Sequence, residues 1–246
     1  MITGRRGAVI ACLDAGKSRA WNDVLSALGY DVAASVGDAR DILPALGASA
    51  ASLLLSDAIL PGGDAVSVAR MIDGAALNLY PHMLFVPFPG MRLPGAEALD
   101  QLGAALLDGP VEVRAVLAAV ERLDARAHGL SSERAANLAS LLDRLGVPGH
   151  SGRTMLQNAA ALCWRDRSRL HNLRDRVYPD AARPLGKTGV QAERAIRHVI
   201  EAAWRTGPIE EQQRIFGDTI DARRGRPTCG EMIAQLADIL RWEGRP

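Results

Sequence analysis

The β signal of this chain stops near residue 127, and that change of pattern constrains the fold more than any other feature of its 246 residues. Before it, apolar runs alternate with amphipathic stretches. Strands are predicted at 7–13 (GAVIACL), 31–36, 51–56 (ASLLLS) and 83–87 (MLFVP), with a short fifth at 106–107. Helices are predicted between them at 18–28, 38–46 and 64–76, and a last one over 111–127. Apolar strands alternating with helices of this length describe an α/β doubly wound, five-stranded parallel sheet. Such sheets take ligands at the carboxyl ends of their strands, which directs attention to Asp14, Asp57, Pro87 and Gly109. Beyond 133 only helices are legible, at 133–145, 154–164, 168–177, 180–185, 190–205, 209–216 and 229–242. Thr228 and Glu231 have capping-box spacing at the start of the last one. The expected organisation is an α/β unit over 1–127, a polar connection over 128–132 and an all-α unit over 133–246.

Charge divides at the same place. Residues 1–128 carry 10 Lys+Arg against 14 Asp+Glu, and residues 129–246 carry 19 against 14. The basic half is the candidate for nucleic acid, although a solvated basic face needs no ligand. Cys12, Cys163 and Cys229 lie far apart, so neither a metal site nor a disulfide framework is expected. No apolar run approaches the roughly 18 residues that a spanning helix needs. The first apolar run is short and is followed by Asp14 where a signal peptide would have a small-residue cleavage site. A cytoplasmic protein with no membrane partner is therefore expected. No Ser-His-Asp set or pair of catalytic carboxylates emerges, and no enzymatic activity is expected.

In LLLSDAILPGGDAV (53–66) an Asp ends a buried strand, and Leu-Pro follows two residues later. This segment resembles the phosphoacceptor segment of response-regulator receiver domains. Asp57 takes the acceptor place and Asp14 one place of the acidic pair after strand one. The resemblance covers roughly residues 7–127 and implies a flavodoxin-like sheet. It also implies a magnesium ion on oxygen ligands, a Ser or Thr after strand four and a Lys after strand five. The chain departs from each. Leu13 precedes Asp14, residues 82–95 contain neither Ser nor Thr, and Gly109 precedes Pro110 where Lys-Pro is expected. Lys17 and Lys187 are the only lysines in the chain. These departures describe a pseudo-receiver used for dimerisation or docking. They argue against Mg2+ at Asp14 and Asp57, and no other cofactor is expected. A rival reading of the same place is ACLDAGKS (11–18), which nearly fits P-loop spacing with Ala11 for the first Gly. Asp14 would put a negative charge inside a loop that must cradle phosphate, and about 120 residues is short for an NTPase. Gly16-Lys17-Ser18 reads better as a helix start.

On a helical wheel, residues 190–205 separate into two faces. Ala192, Ala195, Ile196, Val199, Ile200 and Ala203 fill one, and Gln191, Arg194, Arg197, His198, Glu201 and Arg205 the other. A short helix over 178–185 and the turn Gly186-Lys187-Thr188-Gly189 precede it, which is the pattern of a helix-turn-helix. Gln191 and Arg194 are expected at base edges. Lys187, Thr188, Arg197 and His198 are expected at phosphates or flanking bases. Glu193 either accepts from a cytosine amino group or pairs with Arg197 one turn on. Arg223, Arg224 and Arg226 are candidates for backbone contacts. Trp164, Trp204 and Trp242 are expected in the core.

Four segments carry a second resemblance: 145–159 (LGVPGHSGRTMLQNA), 176–207 (RVYPDAARPLGKTGVQAERAIRHVIEAAWRTG), 215–219 (IFGDT) and 226–241 (RPTCGEMIAQLADILR). They resemble, in order, the DNA-binding effector domain of the stage-zero sporulation response regulator family. The resemblance implies a sequence-specific transcriptional regulator that binds double-stranded DNA as a homodimer, with RNA polymerase or other regulators as further partners. It also implies base contact for Glu193. Where the family has Arg, this chain has Gln191. The alternative function is a regulatory interaction protein that pairs with an authentic regulator and antagonises it.

Overall fold

The structure, a computed structural model, describes residues 6–75, 77–125, 130–217, 220 and 224–242. The chain divides into two compact units between Ser132 and Glu133.

In the first unit, β1 (Arg6–Ala11), β2 (Tyr30–Val36), β3 (Leu53–Asp57), β4 (His82–Val86) and β5 (Ala104–Leu106) form one parallel sheet in the order 2-1-3-4-5. This is the flavodoxin-like doubly wound order. Every residue of β3 and β4 is buried, because helices cover both faces. That is why these strands read as continuous apolar runs instead of alternating ones. Ile10, Leu53, Leu55, Leu84 and Val86 point to one face, where α1 (Ala15–Ala27) and α5 (Val113–Ala125) meet them with Trp21, Leu25, Val116 and Val120. The opposite face is covered by α2 (Ile42–Ser49), α3 (Ala65–Asp73) and α4 (Ala96–Gln101). The helix expected from residue 18 starts at Ala15, because Asp14 caps it there. The helix expected from residue 38 opens as a 3-10 turn, Ala39–Asp41. Two features are absent from the sequence reading. One is a small antiparallel pair, Ile59–Leu60 with Gly63–Asp64, just after β3. The other is α4, whose six residues bury only Leu99 and are too few to show a helical period.

The second unit is helical throughout its described residues: α6 (Ser132–Arg144), α7 (Ser151–Arg165), α8 (Leu173–Arg176), α9 (Tyr178–Ala182), α10 (Gly189–Thr206), α11 (Ile209–Phe216) and α12 (Cys229–Trp242). α7 is the central element, packed on α9, α10 and α12. Its Met155, Leu156, Ala159, Ala160 and Cys163 are fully buried. From α12, Arg241 donates to the Cys163 and Trp164 carbonyls, both at 2.6 Å, and so satisfies acceptors left free at the end of α7. The single helix expected over 168–177 is instead a 3-10 turn (Arg167–His171) followed by α8. Asn172 makes the break, its side chain accepting from the Asp175 N–H and so competing with helix continuation. The Thr228–Glu231 capping box closes at 2.7 and 3.2 Å. Trp164 is buried as expected, and Trp204 is half-buried, edge-on to Phe216. Trp242 is 63% exposed, a correction to the core expectation: it sits at the last turn of α12, past the buried positions that end at Leu240 and Arg241. Among the described residues no helix is long and apolar enough to cross a membrane.

Candidate nucleic-acid interface and strand-end site

The helix expected over 180–185 is α9 continued by a 3-10 turn, Arg183–Leu185. It ends at Gly186, whose φ of 63° is the left-handed conformation that glycine adopts without a Cβ penalty. Two residues later Thr188 starts α10. Its hydroxyl accepts from the Gln191 N–H at 3.3 Å, while the Gln191 carboxamide oxygen accepts from the Thr188 N–H at 2.8 Å. Both residues expected to contact DNA thus form a reciprocal cap in the free protein. The Thr-x-x-Gln spacing was the signal for it. The Gln191 amide nitrogen is left to donate.

Beyond the cap, α10 buries Ala192, Ile196, Val199, Ile200 and Ala203, as the wheel predicts, with Ala195 only half-buried. Arg194, Arg197 and His198 are exposed. Arg197 is paired with Glu193 across one turn, so of the two readings of Glu193 the free protein makes the ion pair. Arg194 has no hydrogen-bond or ion-pair partner among the described residues. Lys187 donates to the Ser151 hydroxyl at 2.9 Å, and the His150 and His198 rings lie 6.1 Å apart. The start of α7 therefore joins the exposed face of α10, and sequence reasoning missed His150 and Ser151 for want of this tertiary contact. Val190, also missed, is 75% exposed in the first turn of α10, where an apolar group can meet a thymine methyl. Arg226 pairs with Glu201 and Arg224 with Glu231, lining a cleft of about 550 Å³ beside α10. Arg223 lies outside the described residues, as do 128 and 129 of the expected connection.

At the strand ends of the first unit, Asp57 is 6% exposed and its carboxylate pairs with the Lys17 ammonium. The receiver resemblance implies a lysine after β5, where Gly109 stands; here the ammonium comes from the first turn of α1, on the other side of β3. Lys17 also faces the rings of Trp21 and Phe88 at 4.7 and 5.5 Å. Asp14 accepts from the Gly16 and Lys17 N–H groups at 2.7 and 2.8 Å. The Lys17 and Gly16 N–H groups hold its carboxyl below the usual range. Burial, above all, pushes the neighbouring Cys12 thiol up to about 11. These residues do not fit a magnesium site. Asp14 is spent on the helix cap, Asp57 on Lys17, and no group of three His, Cys, Asp or Glu side chains among the described residues could hold a metal. Gly16-Lys17-Ser18 forms the first turn of α1.

Residues 138–240 match the family described as sporulation initiation factor Spo0A C terminal. This stretch is similar to a Spo0A C-terminal domain. With the flavodoxin-like unit before it, the chain fits a Spo0A-like response regulator. Similar solved structures include full-length FixJ from B. japonicum (17% identity, 96% of this chain and 99% of that one, TM-score 0.42). A CheY-like receiver domain from Methylobacillus flagellatus (15%, 49% and 99%, 0.41) and a LuxR-family DNA-binding response regulator from Staphylococcus aureus (14%, 48% and 98%, 0.41) are others.

Gln191 tests whether the first turn of α10 contacts bases, as the resemblance implies. Arginine suits guanine's two acceptors, whereas glutamine suits adenine. Gln191→Arg is expected to introduce a guanine preference of roughly 1–3 kcal/mol at one position of the bound site, the scale of one good base contact. Binding-site selection on both variants checks it. Identical consensus sequences would place this residue on the cap alone.

Proposed function

We propose that this chain is a cytoplasmic, sequence-specific transcriptional regulator that binds double-stranded DNA as a homodimer, with no catalytic activity of its own. We propose further that its receiver-like unit is not governed by phosphorylation of Asp57. The observation that carries the first part is Arg194, exposed and without a partner among the described residues, in a capped, amphipathic second helix of a stretch similar to the Spo0A C-terminal domain. In a helix-turn-helix the N-terminal half of that helix lies nearest the base edges. Lys187 and His198 flank it at positions suited to phosphates, and dimerisation would set two such helices on two half-sites. RNA polymerase is the natural further partner of a regulator so placed.

The second part rests on what surrounds Asp57. Pro87 follows β4 and offers no hydroxyl to a phosphoryl group, and the donor set does not fit magnesium. Affinity of the full-length chain for promoter fragments is therefore expected to be unchanged by acyl-phosphate donors and by Asp57→Asn. A gain of affinity on phosphorylation that Asp57→Asn removes would overturn this. Binding to promoter and random fragments alike would favour the antagonist of an authentic regulator.

A further inference from the structure

Residues just beyond β1, β4 and β5 enclose a cleft of about 730 Å³ in the first unit that DNA recognition does not use. Trp21, Phe88, Met91 and Pro110 line it, and Lys17 and Asp108 are its charged groups. Small-molecule sites span roughly 300–1,000 Å³, and doubly wound folds place them at these strand ends. The floor already holds a group of a definite class. The Lys17 ammonium rests on the buried Asp57 carboxylate and faces the Trp21 and Phe88 rings at 4.7 and 5.5 Å. Ring faces attract cations within about 6 Å. A position that meets a buried carboxylate and two aromatic rings at once is a seat for an ammonium, and the Lys17 ammonium is its internal occupant.

Charge decides which ligand suits the cleft. Lys17 and Asp108 line the cleft and Asp57 lies against the Lys17 ammonium, two carboxylates to one cation, so the site is acidic. An organic anion that captured Lys17 would leave a buried carboxylate unpaired, which is strongly unfavourable. An organic cation meets no such penalty, because it replaces Lys17 on Asp57.

We propose that the cleft binds a small organic cation, a primary ammonium on an apolar body. Its ammonium displaces Lys17 from Asp57, and its apolar part lies against Trp21, Phe88 and Met91. Lys17 then acts as a tethered competitor, and occupancy of the cleft is signalled by its release from the strand end.

The test uses the full-length chain without DNA, with benzylamine, protonated at neutral pH, as the probe and benzoate as its counterpart of similar size and opposite charge. Binding is followed calorimetrically and by fluorescence, since Trp21 is the only tryptophan before residue 164. Benzylamine is expected to bind saturably and benzoate not. Lys17→Met is expected to tighten benzylamine binding by at least roughly tenfold, because it removes a competitor held at millimolar effective concentration. Asp57→Asn is expected to weaken it. Tighter binding of benzoate, or unchanged benzylamine affinity in folded Lys17→Met, would overturn the proposal. If Lys17→Met does not fold, Phe88→Ala at a 47% exposed position serves instead, with affinity expected to fall several-fold. Unchanged affinity there would equally end it.

Discussion

Arg194→Ala is expected to remove most of the sequence discrimination of the full-length chain while leaving the second unit folded. The side chain is exposed and has no protein partner among the described residues, so truncating it costs the free protein little. On the proposed binding mode, a guanidinium at this place would make two parallel hydrogen bonds to guanine O6 and N7. One such contact is worth ~1–3 kcal/mol, roughly a five- to 150-fold preference between right and wrong base. Arg197→Ala differs, because it also strips Glu193 of its ion-pair partner and mixes a structural effect with a binding one. Competition between a selected site and a scrambled one measures the loss, and circular dichroism checks the fold. Undiminished discrimination in Arg194→Ala would mean that this face of α10 does not enter the groove.

Gly152→Ala is expected to lower the stability of the second unit by ~1–3 kcal/mol, the usual cost of overpacking. A Cβ at this position would lie 2.6 Å from the Ala195 carbonyl oxygen and 2.7 Å from Val199 Cγ1. Alanine is favoured over glycine within a helix by up to about 1 kcal/mol, which opposes the effect. The clash prevails because the nearer obstacle is backbone of α10, which cannot rotate aside as a side chain can. The transition midpoint should fall by several degrees, at roughly 4–8 °C per kcal/mol for a domain somewhat under this size. An unchanged or higher midpoint would show that α7 and α10 separate without strain.

What could be read in the sequence follows from how local each feature is. β3 and β4 are legible because burial on both faces leaves continuous apolar runs. α10 is legible because eighteen residues allow a complete apolar stripe, and the cap of α12 because Thr228 and Glu231 lie three apart. The same spacing recurs in Thr188 and Gln191, where the sequence pattern points to DNA contact and the structure shows the cap. The contacts of Lys17 with Asp57 and of His150 with His198 could not be read. Each joins elements far apart in the chain, and nothing in the local pattern of either partner specifies the other. Trp242 shows the opposite error, a large apolar residue assigned to the core where the helix has outrun its packing surface.

The ion pairs on and beside α10 also bear on how binding should depend on ionic strength. Arg197, Arg224 and Arg226 are each matched to a glutamate in the free protein, at Glu193, Glu231 and Glu201. An arginine that reaches a phosphate from such a pair leaves its glutamate beside the polyanion, so the pair as a whole brings no net charge. Counterions are released from DNA in proportion to the charge neutralised, with a logarithmic slope of about −0.9 per phosphate. On the proposed binding mode, the slope is therefore governed by Arg194 and Lys187 more than by the number of arginines in the domain. Affinity should persist at salt concentrations where an equally arginine-rich but unpaired surface would already have let go.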